Sequence, residues 1–415
     1  MRVIVNELKK IWNIKILAII AFASVFFIVL TNGYIDAYPR GTWFFEVDFA
    51  HHLTENYGTT LSHSDFEDFL NYEKTIIQEV NKFIASRQVF VGAGIFDFTD
   101  YLAFREETGL LYDTLTDEEL KQRVIITGEM GYTTRLRDGT DIRVNPYEPS
   151  LAYRKLVSFG NVAALYRRNV LRDTDWGTFI DNFIAHTPLD EREMQRAVEI
   201  RDSGELTNIL SYWTMFHTWR YVRQVAVLVI LATLILVSQL ITTDRANQVN
   251  WLQYSSKQGR NIFKKQFIAV SISSVFITTI LITVFSAIFV AATDVHELWN
   301  NGINSFLSFR FYWLSITFGE YIILTIGVMY LLSIGAATFA FVMSRFSSNK
   351  IRLLFKVVPL FIAAMMLSNW ILSEFLEIYV GGDWLLQLSS LAAASVAGFG
   401  FSLFVVRREK MAELL

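Results

Sequence analysis

The sequence predicts an α-helical membrane protein with six transmembrane helices and a mainly helical (α+β) extracellular domain inserted after the first of them. Hydrophobic residues make up 53% of the 415 residues and charged residues only 19%, whereas an ordinary soluble domain carries about 25% charged residues. Six stretches approach or exceed the roughly 20 apolar residues that cross a bilayer, and basic residues concentrate in alternate loops. This composition excludes a disordered chain and an ordinary cytosolic enzyme.

The six apolar stretches follow one another with one long interruption. They are residues 14–33, 222–241, 267–292, 311–344, 353–372 and 384–406. No small-residue cleavage site follows the first stretch, which therefore predicts a retained helix rather than a signal peptide. The fourth stretch would be about 50 Å long as a helix, against a hydrocarbon core of ~30 Å. It must therefore tilt, break or project from the membrane.

Loop charge predicts the orientation in the cell membrane. The N-terminus, the second-to-third loop, the fourth-to-fifth loop and the C-terminus are rich in Lys and Arg, whereas the fifth-to-sixth loop has none. The positive-inside rule then places both termini in the cytoplasm and residues 34–220 outside. That outer segment holds 19 basic and 30 acidic residues, a net charge of −11. The chain has no cysteine, which excludes disulfides and suits a bacterial surface.

The extracellular domain, residues 34–220, shows mainly helical patterns. Helices are predicted over residues 64–86 and 150–172, and Thr116 with Glu119 has the spacing of a capping box before another helix. The Asp138-Gly139 pair predicts a small β-hairpin. From about Asp190 the pattern stays helical into the second span, which predicts one long helix running from the domain into the membrane.

A search for chemistry in this domain finds little. The weak metal-ligand candidates are His51, His52, Glu55 and His63, whose order does not match the HExxH pattern. A surface or turn cluster explains them more simply. The sequence has no G-x-S-x-G and no P-loop motif, so we predict no enzyme activity and no catalytic residue in this chain.

Glu320 is the one acidic residue within a predicted span. A charge inside the bilayer is costly and is by default a functional candidate, so Glu320 is a possible transport-path residue. It lies about ten residues into the fourth stretch, so a position at the outer interface explains it equally well.

Residues 1–13 have the pattern of an amphipathic helix. Ile4, Leu8 and Ile11 share one face, and Arg2 and Lys9 lie on the other. Such a helix is typical of the membrane interface, with its basic side chains toward the lipid headgroups. The alternative is a basic flank that only sets topology.

The cytoplasmic loop over residues 242–266 carries the most specific pattern in the chain. An acidic residue is followed by a possible short helix from Asn247 that contains a Leu, then by a Ser-x-x-x-Arg stretch and a Lys. The matching residues are Asp244, Leu252, Ser256, Arg260 and Lys264, and Asn247, at the start of the possible helix, is a further candidate of this coupling loop. The loop resembles the coupling segment of ABC type-2 permeases, and the N-terminal NELKKIWNIK is similar to that family's opening. The Gly and Thr usual in that segment are absent from residues 246–249.

The resemblance implies a permease subunit of an ATP-driven ABC exporter. Such a subunit holds no cofactor itself and works with a separate ATP-binding subunit, which binds ATP and Mg, and with a second permease as a homodimer or sister pair. The lipid bilayer is its other partner, and a net charge of −3 gives no reason to expect nucleic acid. The alternative is a non-transporting membrane protein whose acidic extracellular domain binds a ligand for sensing or scaffolding. A membrane-anchored enzyme is the third possibility.

Overall fold

The computed structural model describes residues 2–36, 38, 45–130, 133–135, 141–143, 151–172, 178–247, 262–373, 375–378 and 384–412. Within them the chain forms α1 (Arg2–Ile11), α2 (Ile14–Asp36), α3 (Glu46–Tyr57), α4 (His63–Ser86), α5 (Gln88–Gly92), α6 (Phe98–Leu110), α7 (Asp117–Gly128), β1 (Thr133–Arg135), β2 (Asp141–Arg143), α8 (Leu151–Tyr166), α9 (Phe179–His186), α10 (Glu191–Asp202), α11 (Tyr212–Ser238), α12 (Leu240–Ala246), α13 (Ile262–Thr293), α14 (Phe318–Arg345), α15 (Lys350–Leu372) and α16 (Trp384–Ala412). A π-helical turn, Arg167–Leu171, follows α8.

Six of these helices are long and apolar enough to cross a membrane, judged by length and composition. They are α2, α11 with its extension α12, α13, α14, α15 and α16. The predicted α-helical protein with six candidate spans is thus confirmed at this level. In the bundle α11 is central, with Leu228, Val229 and Val237 fully buried, whereas α2 and α15 lie at the periphery, with only 11% of the residues in each apolar window buried.

The fourth candidate span is shorter than the apolar stretch. Helix α14 begins at Phe318, because the Thr317 side chain accepts a hydrogen bond from the Glu320 amide and the Glu320 carboxylate accepts one from the Thr317 amide. This capping box satisfies amides that have no partner within the helix. Residues 311–317 precede the helix without joining it. The fourth apolar stretch was predicted to tilt, break or project from the membrane, and the structure shows that it breaks before Phe318.

The second candidate span extends beyond its predicted ends. Helix α11 begins at Tyr212, capped by Ser211, and α12 continues it to Ala246. The predicted continuous helix from about Asp190 is wrong. Helix α10 ends at Asp202, and Gly204 then adopts a φ of 81°, a left-handed conformation that glycine adopts without steric cost and that interrupts the helix.

The described residues between 45 and 210 form an inserted domain of helices α3–α10 with one hairpin. Strands β1 and β2 pair antiparallel, which confirms the predicted hairpin, although its Asp138-Gly139 turn lies outside the described residues. The predicted capping box of Thr116 with Glu119 is present. Aromatic rings dominate the domain core, where Phe66 stacks on Tyr166 with ring centroids 4.2 Å apart. The prediction of a mainly helical domain agrees with these elements.

Loops between the candidate spans anchor the inserted domain to the bundle. Phe306 and Leu307, which follow α13, are buried in the domain core. The Tyr212 amide donates to the Leu307 carbonyl at 3.2 Å, and the Asn301 side chain donates to the Ile209 carbonyl. Residues 375–378 pair with 311–313 through main-chain hydrogen bonds, including one from the Ile378 amide to the Phe311 carbonyl at 2.8 Å. Domain and bundle therefore share a packed interface.

Candidate functional site

A polar cluster connects α1, α12 and α13 at the end of the bundle remote from the inserted domain, which we call the basal end. Lys10 Nζ donates to Glu7 Oε1 at 2.8 Å and to Asp244 Oδ1 at 3.0 Å. Gln266 Nε2 donates to Glu7 Oε2 at 3.1 Å and to Asp244 Oδ2 at 2.9 Å. These four residues form the basal polar cluster, in which one ammonium and one amide hold two carboxylates.

Helix α1 reaches this position because its apolar face packs on α13. Ile11 is buried in the bundle core, with Ile4 and Leu8 packed against it. Trp12 Nε1 donates to Ser273 Oγ at 3.1 Å, and its ring meets that of Phe276 edge-on at 5.3 Å. The predicted amphipathic helix therefore forms, and it packs against protein.

The two carboxylates of the cluster are buried, so the stability of the fold depends on their partners. The Glu7 and Asp244 residues are 3% and 4% exposed, and Gln266 is 4% exposed. A buried carboxylate is destabilising unless a counter-charge or hydrogen-bond donors compensate for its lost hydration. Burial lowers the pKa of Lys10, but hydrogen bonds to Glu7 and Asp244 outweigh that effect and raise the pKa above its ordinary value. Lys10 therefore remains charged at neutral pH and compensates the two carboxylates.

Arg245 adds a second connection at the basal end. Its Nη1 donates to the Ser347 carbonyl and its Nη2 to the Arg345 carbonyl, each at 2.6 Å. Carbonyls at a helix C-terminus lack partners within the helix, and a guanidinium fork can satisfy two of them. Arg245 thus fixes α12 to the end of α14.

The predicted coupling segment is described only at its two ends. Asp244 belongs to the basal polar cluster, Asn247 caps the C-terminus of α12, and Lys264 is an exposed residue in the first turn of α13. The remaining candidates, Leu252, Ser256 and Arg260, lie outside the described residues. The helices flanking the segment extend further than the predicted loop limits of 242 and 266, because α12 ends at Ala246 and α13 begins at Ile262.

The sequence does not predict the tertiary contacts of four residues at this site, namely Glu7, Lys10, Arg245 and Gln266. The sequence predicts Lys10 only as a basic residue on the polar face of the N-terminal helix, and Arg245 only as a topology-setting charge. One signal was available, because Glu7 is the only acidic residue before Asp36. An isolated carboxylate in a basic amphipathic helix indicates a specific partner. Its partner in α13, Gln266, lies 259 residues away in the chain, so the pairing itself carries no local signature.

Glu320 lies in the first turn of α14, at the end of the bundle that faces the inserted domain. Its side chain is exposed, and its carboxylate accepts a hydrogen bond from the Thr317 amide at 2.8 Å. This contact accounts for an acidic residue at a helix N-terminus. A role in the transport path stays a prediction.

Of the four candidate metal ligands, His51 and His52 contact different partners. His51 Nδ1 lies 2.6 Å from Glu297 Oε2 in the loop after α13, whereas the His52 ring stacks on Tyr72 at 4.5 Å. Burial lowers the pKa of His52, with opposing charge effects from Glu55 and Lys155. His63 is an exposed residue at the start of α4. In the part of the chain that the structure describes, no three His, Cys, Asp or Glu side chains group as a metal site.

Comparisons with protein-family models, with curated proteins and with solved structures find no match. Fold and site together define a class, an α-helical protein with six candidate membrane spans and a domain inserted between the first two. The functional argument therefore depends on the geometry of the basal end.

Proposed function

We propose that this chain is the membrane permease subunit of an ATP-driven ABC exporter. A separate ATP-binding subunit, which binds ATP and Mg, would dock on the segment between α12 and α13 and drive substrate out of the cytoplasm or inner leaflet. The observation that carries the proposal is the set of hydrogen bonds that joins α12 and α13 at the two ends of this segment. Asp244 on one side and Gln266 on the other are hydrogen-bonded directly, and Lys10 and Glu7 of α1 complete the connection.

These contacts suit the mechanical coupling of the docking segment to the helices of the bundle. A displacement of the segment acts on α12 and α13 directly, because both are continuous with it. The basal polar cluster transfers the displacement to α1, and Arg245 transfers it to the end of α14. One docking event can therefore move four helices together.

The remaining surface of the bundle suits the partners that the proposal requires. Phe22 and Val29 of α2, Phe355 of α15 and Val396 of α16 are between 69% and 77% exposed. Apolar residues with this exposure require lipid or another apolar helix. We assign them to the bilayer and to a second permease, either a copy of this chain or a sister subunit, with both termini in the cytoplasm of a bacterial cell.

The test is a substitution in the docking segment. The chain purified from its native membrane should carry an ATP-binding subunit, and Leu252→Asp should abolish coupled ATP hydrolysis while the complex stays intact. The matched control is Leu110→Asp, at an inserted-domain position that is 79% exposed, which should hydrolyse ATP like the wild type. Full hydrolysis and transport in Leu252→Asp, or no associated ATPase in native membranes, would contradict the proposal.

One observation favours a second candidate, a membrane protein that senses or scaffolds through its inserted domain. His51 of α3 contacts Glu297 of the bundle loops. A conformational change that a ligand causes in the domain could reach the bundle through this contact, without any ATPase. A ligand that binds the domain and shifts bundle conformation in ATPase-free vesicles would support this alternative.

A further inference from the structure

We propose that the basal end binds one anionic phospholipid, with its phosphate headgroup in a lysine-lined cavity and one acyl chain in an adjoining apolar groove. The inference does not depend on the ABC assignment. It depends on two cavities that meet at Gln239 and Lys350.

The headgroup cavity has a volume of about 350 Å³ and lies between the start of α2, the α11–α12 junction and the start of α15. Three lysines and three side-chain amides contribute to its lining, namely Lys10, Lys15, Lys350, Asn13, Gln239 and Asn247. Ammonium and amide groups are donors that suit a phosphate. The cavity therefore presents donors from three separate parts of the chain.

The charges in this cavity leave an excess of positive charge. Asp244 also borders it, but its carboxylate is held by Lys10 and Gln266. No carboxylate of the described residues forms an ion pair with Lys15 or Lys350. Lys350 is also the first residue of α15, whose N-terminal dipole adds partial positive charge. The cavity therefore favours an anion.

The groove, with a volume of about 200 Å³, identifies the anion as part of a lipid. It runs between the last turns of α11 and the first turns of α15, with Leu234, Leu353 and Val357 among its apolar lining. From Lys350 to Phe361 the α15 wall measures about 16 Å, half the ~30 Å hydrocarbon core. Leu354 and Val358 are 60% and 45% exposed, so the groove opens toward the surrounding lipid. The length of the groove therefore fits one acyl chain of a lipid in one leaflet.

The first experiment tests the headgroup cavity. Delipidated full-length protein in detergent is titrated with phosphatidylglycerol or phosphatidylcholine, and bound lipid is counted by native mass spectrometry. We expect the wild type to bind phosphatidylglycerol roughly tenfold more tightly than phosphatidylcholine. Lys15→Gln with Lys350→Gln should abolish that preference. The control pair, Lys9→Gln with Arg352→Gln, removes the same charge from exposed positions outside the cavity and should retain it.

The second experiment tests the groove. Val357→Trp fills the groove and should weaken phosphatidylglycerol binding about tenfold, whereas Phe355→Trp, on the exposed face of α15 outside the groove, should bind as the wild type does. Inorganic phosphate at millimolar concentration should not compete. Equal binding of the two lipids by the wild type, competition by phosphate, or full binding by Val357→Trp would each overturn the proposal.

Discussion

At the scale of single residues, the charged groups that matter most are those whose partners lie far away in the chain. Glu7 and Asp244 are buried and share the Lys10 ammonium, and the Glu377 carboxylate, 5% exposed, accepts from Arg310 at 2.6 Å. Each residue alone looks like an ordinary loop or interface charge in the sequence. Sequence analysis selected Asp244 through its family resemblance, but it could not find the partners, because only the tertiary fold brings them together.

The basal polar cluster gives a stability prediction. Asp244→Ala removes two charge-assisted contacts and leaves Lys10 and Gln266 without that acceptor, so we expect a loss of about 2 kcal/mol in the free energy of unfolding. Thermal unfolding in detergent measures it. Asp113→Ala, at an exposed position of the inserted domain, is the control and should change little. Because the residues act as one network, the costs of Lys10→Ala and Asp244→Ala should not add; additive costs would contradict the cluster.

His52 gives a pH prediction for the inserted domain. Because burial lowers the pKa of His52 in the folded protein below its ordinary value of 6.5, the unfolded chain binds the proton more readily. This contribution to stability is present above pH 6.5 and decreases as the pH falls below it. His52→Gln should reduce the loss of unfolding temperature between pH 7 and pH 5. An unchanged loss in His52→Gln would contradict this explanation.

At the scale of elements, local rules predicted the apolar spans and several helices of the inserted domain, but they gave no prediction for α3, α5, α6 and α9. The helix predicted over residues 64–86 is α4 with Ser62 as its cap, and the capping box at Thr116 forms as predicted. Helix α11 starts ten residues before the predicted apolar limit of the second span, and Met215 and Tyr221 in this added part are buried in the bundle core. The break at Gly204 also escaped prediction, since an isolated glycine in a helical pattern does not identify its own backbone conformation.

Close packing of α14 on α16 gives a prediction at this scale. A Cβ atom at Gly398 would lie 2.8 Å from the Gly335 carbonyl oxygen, whereas a Cβ atom at Gly327 would meet nothing within 4 Å. Gly398→Ala should therefore force the helices apart and cost about 1–3 kcal/mol of unfolding free energy. Gly327→Ala is the control and should be neutral or stabilising by up to ~1 kcal/mol. Equal unfolding temperatures of the two variants would contradict this packing.

At the scale of the whole molecule, composition and loop charge predicted six spans with an inserted domain, and the structure contains six candidate spans at the expected positions. The docking of the domain was not predictable. Phe306 and Leu307 looked like part of a connecting loop, yet they complete the domain core. Apolar residues in a loop have no periodicity from which a distant partner could be inferred.

The predicted orientation can be tested directly because the natural chain contains no cysteine. Asn71→Cys places a thiol on the exposed surface of α4, and Lys9→Cys places one on α1. In intact cells a membrane-impermeant maleimide should label Asn71→Cys fully and Lys9→Cys only after permeabilisation. Labelling of Lys9→Cys in intact cells would overturn the cytoplasmic N-terminus.

Helix α11 has a mechanical consequence, because its 27 residues form a rod about 40 Å long through the centre of the bundle. One end adjoins the inserted domain, and the other continues into α12 at the basal end. A rigid rod converts a small tilt into a large displacement: a 5° rocking about one end moves the other by about 3.5 Å. Motion imposed on one face of the molecule would therefore reach the opposite face within a single element.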